Sequence, residues 1–236
     1  MRRGLLRVLG VVGFMLFVAH QPALALTEFH PPYAQGDGYA DGGCRSGFAP
    51  GSRCENSFAI DRQTGFVTAA AHATSPGNGS EFGFAGTDAN AVFQTEHVIP
   101  QPAGAIEGFL DLDVRRAAVS KTCAFPECPL FSGTAYVELH VDIDVQGCGS
   151  NCARRYEHRL VDLHRGPPSI SDRRLRIPFV IFNDSIGRIP SGSAIVRVWV
   201  WAWVDNRSDP PFPPAGKGTV SAEIEAHLRG ITLQET

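Results

Sequence analysis

Three tryptophans at every second position, Trp199, Trp201 and Trp203, are the side chains in this chain best placed to recognise something. Side chains of a strand point alternately to its two faces, so a strand here sets the three indoles on one side with Arg197 and Asp205. Val196, Val198, Val200, Ala202 and Val204 take the other side, which is wholly apolar. Two residues of strand span about 7 Å, a spacing that lets indole faces stack on successive sugar rings. The same surface, Arg197 included, suits a flat apolar patch of a partner protein equally well. A third reading has the indoles covered by the N-terminal segment or by the loop Pro210-Pro211-Phe212-Pro213-Pro214, because proline rings pack well on indoles. These alternatives stay open at the level of sequence.

A second set lies on the polar face of the run from Gly133 to Gly147, where Glu138, His140, Asp142 and Asp144 alternate with apolar residues. A symmetric turn at Cys148–Cys152 would bring Asp142 opposite His158 and Glu138 opposite Asp162. Like charges directly opposed are unfavourable unless a cation or an arginine lies between them. Oxygen-rich sets suit Ca²⁺, and a mixed imidazole and carboxylate set suits Zn²⁺ or a similar divalent ion. Asp111 and Asp113 repeat the acidic alternation on the preceding strand. The plainer reading is a solvated face with Arg154, Arg174 or Arg176 as cross-strand partners, which requires no cofactor and adds little stability.

Catalytic motifs are missing. The chain has no G-x-S-x-G elbow, no H-E-x-x-H and no glycine-rich phosphate loop. A metal-dependent hydrolase is therefore the third reading of function, behind two that need no chemistry.

The elements that must carry these residues are strands. Val67, Ala69, Ala71 and Ala73 alternate with polar or small residues, and a weaker strand covers roughly Ala89 to Val98. Ile106, Leu110, Leu112 and Val114 form one apolar row, and Ala135 to Val145 forms another. Arg154 to Leu163 is more mixed, and Leu175 to Ile181 is clear. The row Val220, Ala222, Ile224, Ala226 and Leu228 changes parity at Ile231 and Leu233, which predicts a bulge at Gly230. No window has a helical period. Strands with one apolar face belong to antiparallel sheets with one side wet, and two such sheets face to face make a sandwich. The expectation is an all-β fold, one antiparallel β-sandwich of about eight to ten strands over residues 63–236, with jelly-roll and Ig-like topologies undecided. Residues 26–62, rich in Gly and Pro, read as an irregular segment packed on it.

Residues 1–25 read as an export signal. Arg2, Arg3 and Arg7 precede an apolar core from Val8 to Ala19 that is too short to span a bilayer, and Ala23-Leu24-Ala25 has the small-x-small form of a cleavage site. The expectation is a secreted or periplasmic product beginning near Leu26, with no membrane anchor. Losing those three arginines takes the 21 basic residues to 18 against 24 acidic ones. An acidic chain without basic runs is a poor nucleic-acid binder. Six cysteines in an exported chain read as disulfides. Cys123 and Cys128 bracket one turn and Cys148 and Cys152 another, with a strand of roughly 45–50 Å between the two pairs. Bridged Cα atoms lie within about 7 Å, so local pairing is expected, leaving Cys44–Cys54. A four-sulfur zinc site is the competitor.

The C-terminal part carries I-P-F-V-I-F from Ile177, a long strand, a Pro/Gly loop and a last strand ending A-H-L-R-G-I-T-L. In these features it resembles bacterial exported β-sandwich proteins of the PEP-CTERM-associated type, although the sorting tail is absent. The resemblance covers about a quarter of the chain and implies a fold and an exported location, but no site residues. Two functions then compete: a structural or surface-associated exported protein, and a module that binds polysaccharide or another extracellular protein through the Trp row.

Overall fold

Period-two alternation builds eleven strands in the computed structural model, which describes residues 26–40, 52–75, 84–123, 132–147, 154–182, 187–207 and 218–236. They are β1 (Leu26–Phe29), β2 (Gln35–Ala40), β3 (Arg53–Asp61), β4 (Phe66–Ser75), β5 (Phe84–Ile99) and β6 (Ala105–Cys123). After these come β7 (Ser132–Val145), β8 (Arg154–Asp162), β9 (Ser169–Phe182), β10 (Gly192–Arg207) and β11 (Gly218–Glu235). One sheet runs β3-β4-β11-β6-β9, with β1 also paired to β11, and the other runs β2-β5-β10-β7-β8. All the ladders between named strands are antiparallel.

The fold is the expected antiparallel β-sandwich, and the connectivity specifies which kind. Strands β4 to β11 distribute as β4-β11-β6-β9 in one sheet and β5-β10-β7-β8 in the other. Those eight strands in two interleaved Greek keys are a jelly roll. The three extra strands all come from residues 26–61, the segment expected to be irregular. Strand β3 adds to β4 at one edge, β2 adds to β5, and β1 pairs β11 beside Ile231. Their inward positions mix Cys54, Asn56, Phe58 and Ile60 with glycines, so no apolar row announces them. At Gly38 an added Cβ would meet the Phe58 ring and the Asn90 carbonyl. The glycine lets β2 lie close over the core, and it also erases the periodic signal.

The core is formed by the facing inner rows. Val196, Val198, Val200, Ala202 and Val204 of β10 are fully buried. They share the core with the alanines of β4 and β5, with Leu110, Leu112 and Val114 of β6, and with Leu228, Ile231 and Leu233 of β11. The apolar face of the Trp strand is thus the core face. The bulge also falls where the parity change places it, between Leu228 and Gly230. Cys54 and Cys123 each take part in a disulfide, while Cys44, Cys128, Cys148 and Cys152, and with them the expected pairings, lie outside the described residues. The export signal, residues 1–25, and the proline loop from Pro210 to Pro214 also lie outside them.

Candidate functional site

The outer face of the second sheet collects most of the residues singled out above. Strand β10 runs through its centre, hydrogen-bonded to β5 on one side and β7 on the other. Register then decides the neighbours of each indole. Trp199 lies between Val92 and His140, Trp201 between Asn90 and Glu138, and Trp203 between Asp88 and Tyr136.

The three indoles are all half-buried, but their surroundings differ. Trp203 stacks on Tyr136 at 4.8 Å between centroids, and the Arg159 guanidinium lies 3.8 Å from the Tyr136 ring on its own account. Burial pushes the Tyr136 phenol up to about 12, so it stays protonated. Trp201 donates its indole N–H to Asp88 Oδ2 at 3.0 Å and meets the edge of the His140 ring. Trp199 Nε1 is buried with no hydrogen-bond partner among the described residues, and so are Asn90 Oδ1 and His140 Nε2. These three atoms belong to one place. A recess of about 100 Å³ is lined by Asn90, His140, Arg155, Trp199 and Trp201. Liquid water takes about 30 Å³ per molecule, so the recess admits an edge or a face of one small ring. At the ends of the row, Arg197 reaches solvent and contacts Gln94 at 3.2 Å and Asp144 at 3.7 Å. Asp205 is 5% exposed and does not reach it.

The acidic set is rearranged relative to the symmetric-turn expectation. Asp142 faces Arg155 rather than His158, and Glu138 faces Arg159 rather than Asp162. The register of β7 against β8 differs from the symmetric one by an odd number of residues, which moves side chains to the opposite face. His158 therefore pairs beside Leu139, turned away from Glu138 and His140, and burial lowers its pKa. A bulge between Val137 and Glu138 returns Asp162 to the outer face beside Tyr136. Opposite charges meet as a result: Arg155–Asp142 at 3.0 Å, Arg159–Asp162 at 2.8 Å and Arg159–Glu138 at 3.3 Å. The arginines that separate these carboxylates are 155 and 159. Arg174 and Arg176 lie on β9 in the other sheet, where they are the cross-strand register partners of Asp113 and Asp111 of β6, as the plainer reading expects.

Burial disfavours the charged form of Glu138, but His140 and Arg159 outweigh it and hold the carboxyl below its usual range. Asp162 behaves likewise. Burial opposes its charge, while the N–H groups of His164 and Arg165 and the Arg159 guanidinium donate to it and win. Of the six candidate metal ligands, Glu138 and His140 come together, joined by Glu157, with one donor atom of each within 4.8 Å of the other two. Glu157, Asn90 and Arg155 are the site residues that the sequence reading passed over. Glu157 depends on the register of β8, and Asn90 sits on a strand with weak alternation.

The geometry defines a jelly-roll sandwich with an aromatic and polar recess on one outer face. No protein-family model matches the chain, and no curated protein matches it. Among solved structures it is similar to TmCBM61, a structure in complex with β-1,4-galactotriose, with 9% identity and a TM-score of 0.25 over 82% of this chain and 99% of that one. At that distance the match assigns neither a ligand nor a residue here.

Proposed function

We propose that this is an exported, non-catalytic binding module that takes a neutral sugar unit of a polysaccharide in the recess between Trp199 and Trp201. The observation that carries the reading is the aromatic recess between Trp199 and Trp201, beside which two buried polar atoms, Trp199 Nε1 and Asn90 Oδ1, have no hydrogen-bond partner among the described residues. Native folds leave few buried polar groups unmade, because each costs about 1–3 kcal/mol. One of these two atoms donates and the other accepts, so a ligand that reaches them must do both within a small space. Neighbouring hydroxyls of a pyranose do so, and the ring's C–H face stacks on indole.

Charge narrows the class. The arginines around the recess are already engaged: Arg155 by Asp142, Arg159 by Asp162 and Glu138, and Arg197 by Asp144. The remaining groups are largely acidic, so a uronate or sulfated sugar is disfavoured against a neutral one.

The test is affinity electrophoresis through a panel of neutral and acidic polysaccharides, followed by calorimetry with oligosaccharides of whichever is retained. Trp199→Ala is the variant of choice, because the Trp199 indole N–H makes no hydrogen bond to any described residue. Binding should fall by about tenfold or more, the equivalent of one stacked ring at about 1.5 kcal/mol, with the melting temperature little changed. Retardation by none of the polysaccharides, or unchanged binding by Trp199→Ala, would remove the reading.

A further inference from the structure

We propose that Glu138, His140 and Glu157 form a binding site for a divalent cation of the Zn²⁺ class on the flank of the Trp recess. Glu138 and His140 are two residues apart on β7 and share its outer face, and Glu157 on β8 is the register partner of His140. One donor atom from each lies within 4.8 Å of the other two. The independent sign of a ligand is His140. Its side chain is 4% exposed, and Nε2 has no hydrogen-bond partner among the described residues. That nitrogen is 3.5 Å from Glu138 Oε2, too long for a good hydrogen bond. Two donors at about 2.1 Å from a tetrahedral Zn²⁺ sit about 3.4 Å apart, so this separation suits two ligands of one ion. Glu157 is exposed and can swing the remaining distance.

The donor set also discriminates between metals. Ca²⁺ takes 6–8 oxygen ligands, whereas two carboxylates and an imidazole are a Zn²⁺-type set that leaves a fourth position open. Arg159 is the competitor for Glu138, at 3.3 Å, but it holds Asp162 more closely, at 2.8 Å. A cation therefore displaces the weaker of its two contacts. Because His140 also lines the recess, the open position adjoins whatever binds there, yet the site stands without the sugar reading and is tested without any sugar.

The experiment is calorimetric titration of ZnCl₂ into the untagged, chelator-treated mature chain, with melting temperature followed in parallel. One Zn²⁺ per chain is expected, together with a rise in melting temperature that grows with free Zn²⁺. Glu157→Gln should fold normally, since Glu157 is exposed, and bind Zn²⁺ at least about tenfold more weakly, a loss typical even of an outer-sphere partner. Asp142→Asn, which alters the acidity of the face but not the donor set, should bind as the wild type does. Absence of saturable Zn²⁺ binding, equal affinity in Glu157→Gln, an equal loss in Asp142→Asn, or tighter binding of Ca²⁺ than of Zn²⁺ would each overturn the site.

Discussion

Replacing Arg159 by Met tests the electrostatic reading of the outer face directly. Methionine keeps an apolar stem of similar length to pack on the sheet and deletes only the guanidinium. That group donates to Asp162 at 2.8 Å and to Glu138 at 3.3 Å, and lies 3.8 Å from the centroid of Tyr136. Breaking a fully buried pair costs about 3–5 kcal/mol, but Arg159 is itself 37% exposed, so solvent screens part of the loss. Asp162 also keeps its bonds from the N–H groups of His164 and Arg165. Two screened charge-assisted bonds at about 1 kcal/mol each, and a cation–π contact at about 0.5–1 kcal/mol, sum to roughly 2–3 kcal/mol. With a urea slope of about 2 kcal/mol/M, the midpoint should fall by about 1–1.5 M at pH 7.

The pH dependence sharpens this prediction. Glu138 and Asp162 have depressed pKa values in the folded state. They therefore contribute stability that is present above their unfolded values near pH 4 and is lost as pH falls through the lowered ones. Without Arg159 those values rise, so the mutant has less to lose in acid, and the gap between the two proteins should narrow from pH 7 to pH 3. A gap below about 0.5 kcal/mol, or one that stays constant across that range, would show that the guanidinium does not organise these carboxylates.

Two further substitutions test the packing. Val200→Asp places a charge in the fully buried row of β10 and should cost several kcal/mol or prevent folding, which circular dichroism and urea denaturation would detect. If it were tolerated as well as Trp199→Ala is expected to be, the two faces of the strand would have been assigned wrongly. Gly108→Ala should be similarly damaging, because a Cβ there would press into the Thr232 carbonyl and the Phe179 ring, and backbone cannot swing aside. A melting temperature within about 2 °C of the wild type would mean that β6 and β11 approach less closely than described.

What was legible in the sequence and what was not divide along physical lines. The faces of β10 and the bulge at Gly230 followed from alternation alone, because side-chain period is a property of each strand by itself. The register between β7 and β8 is a property of two strands and the turn joining them. A symmetric turn was a reasonable expectation, yet an odd offset exchanged His158 for Arg155 opposite Asp142 and brought Glu157 opposite His140. Of the six expected metal ligands only Glu138 and His140 stay together, and Glu157 joins them. Strands β1 to β3 were hidden for another reason. They lie on sheet edges or against a half-exposed flank, where Cys54, Asn56 and glycines satisfy the packing without an apolar row. The recess combined both difficulties, since Asn90, Trp199 and His140 come from three strands and meet only through register.

The placement of the indoles on β10, paired along both its edges, has a consequence for how this surface could diversify. Inward and outward residues of a strand occupy separate environments, so Val198 or Val200 can be held constant while positions 199 and 201 vary. Residues 90 and 140 can vary with them, because they too point away from the core. Recognition can thus be rewritten one side chain at a time on a platform whose backbone is held by neighbours on both sides. A loop-borne site lacks this independence, since there the residues that select the ligand also set the shape of the chain. A library restricted to residues 90, 140, 199 and 201 should consequently fold at nearly the parental yield while spanning many ligand preferences.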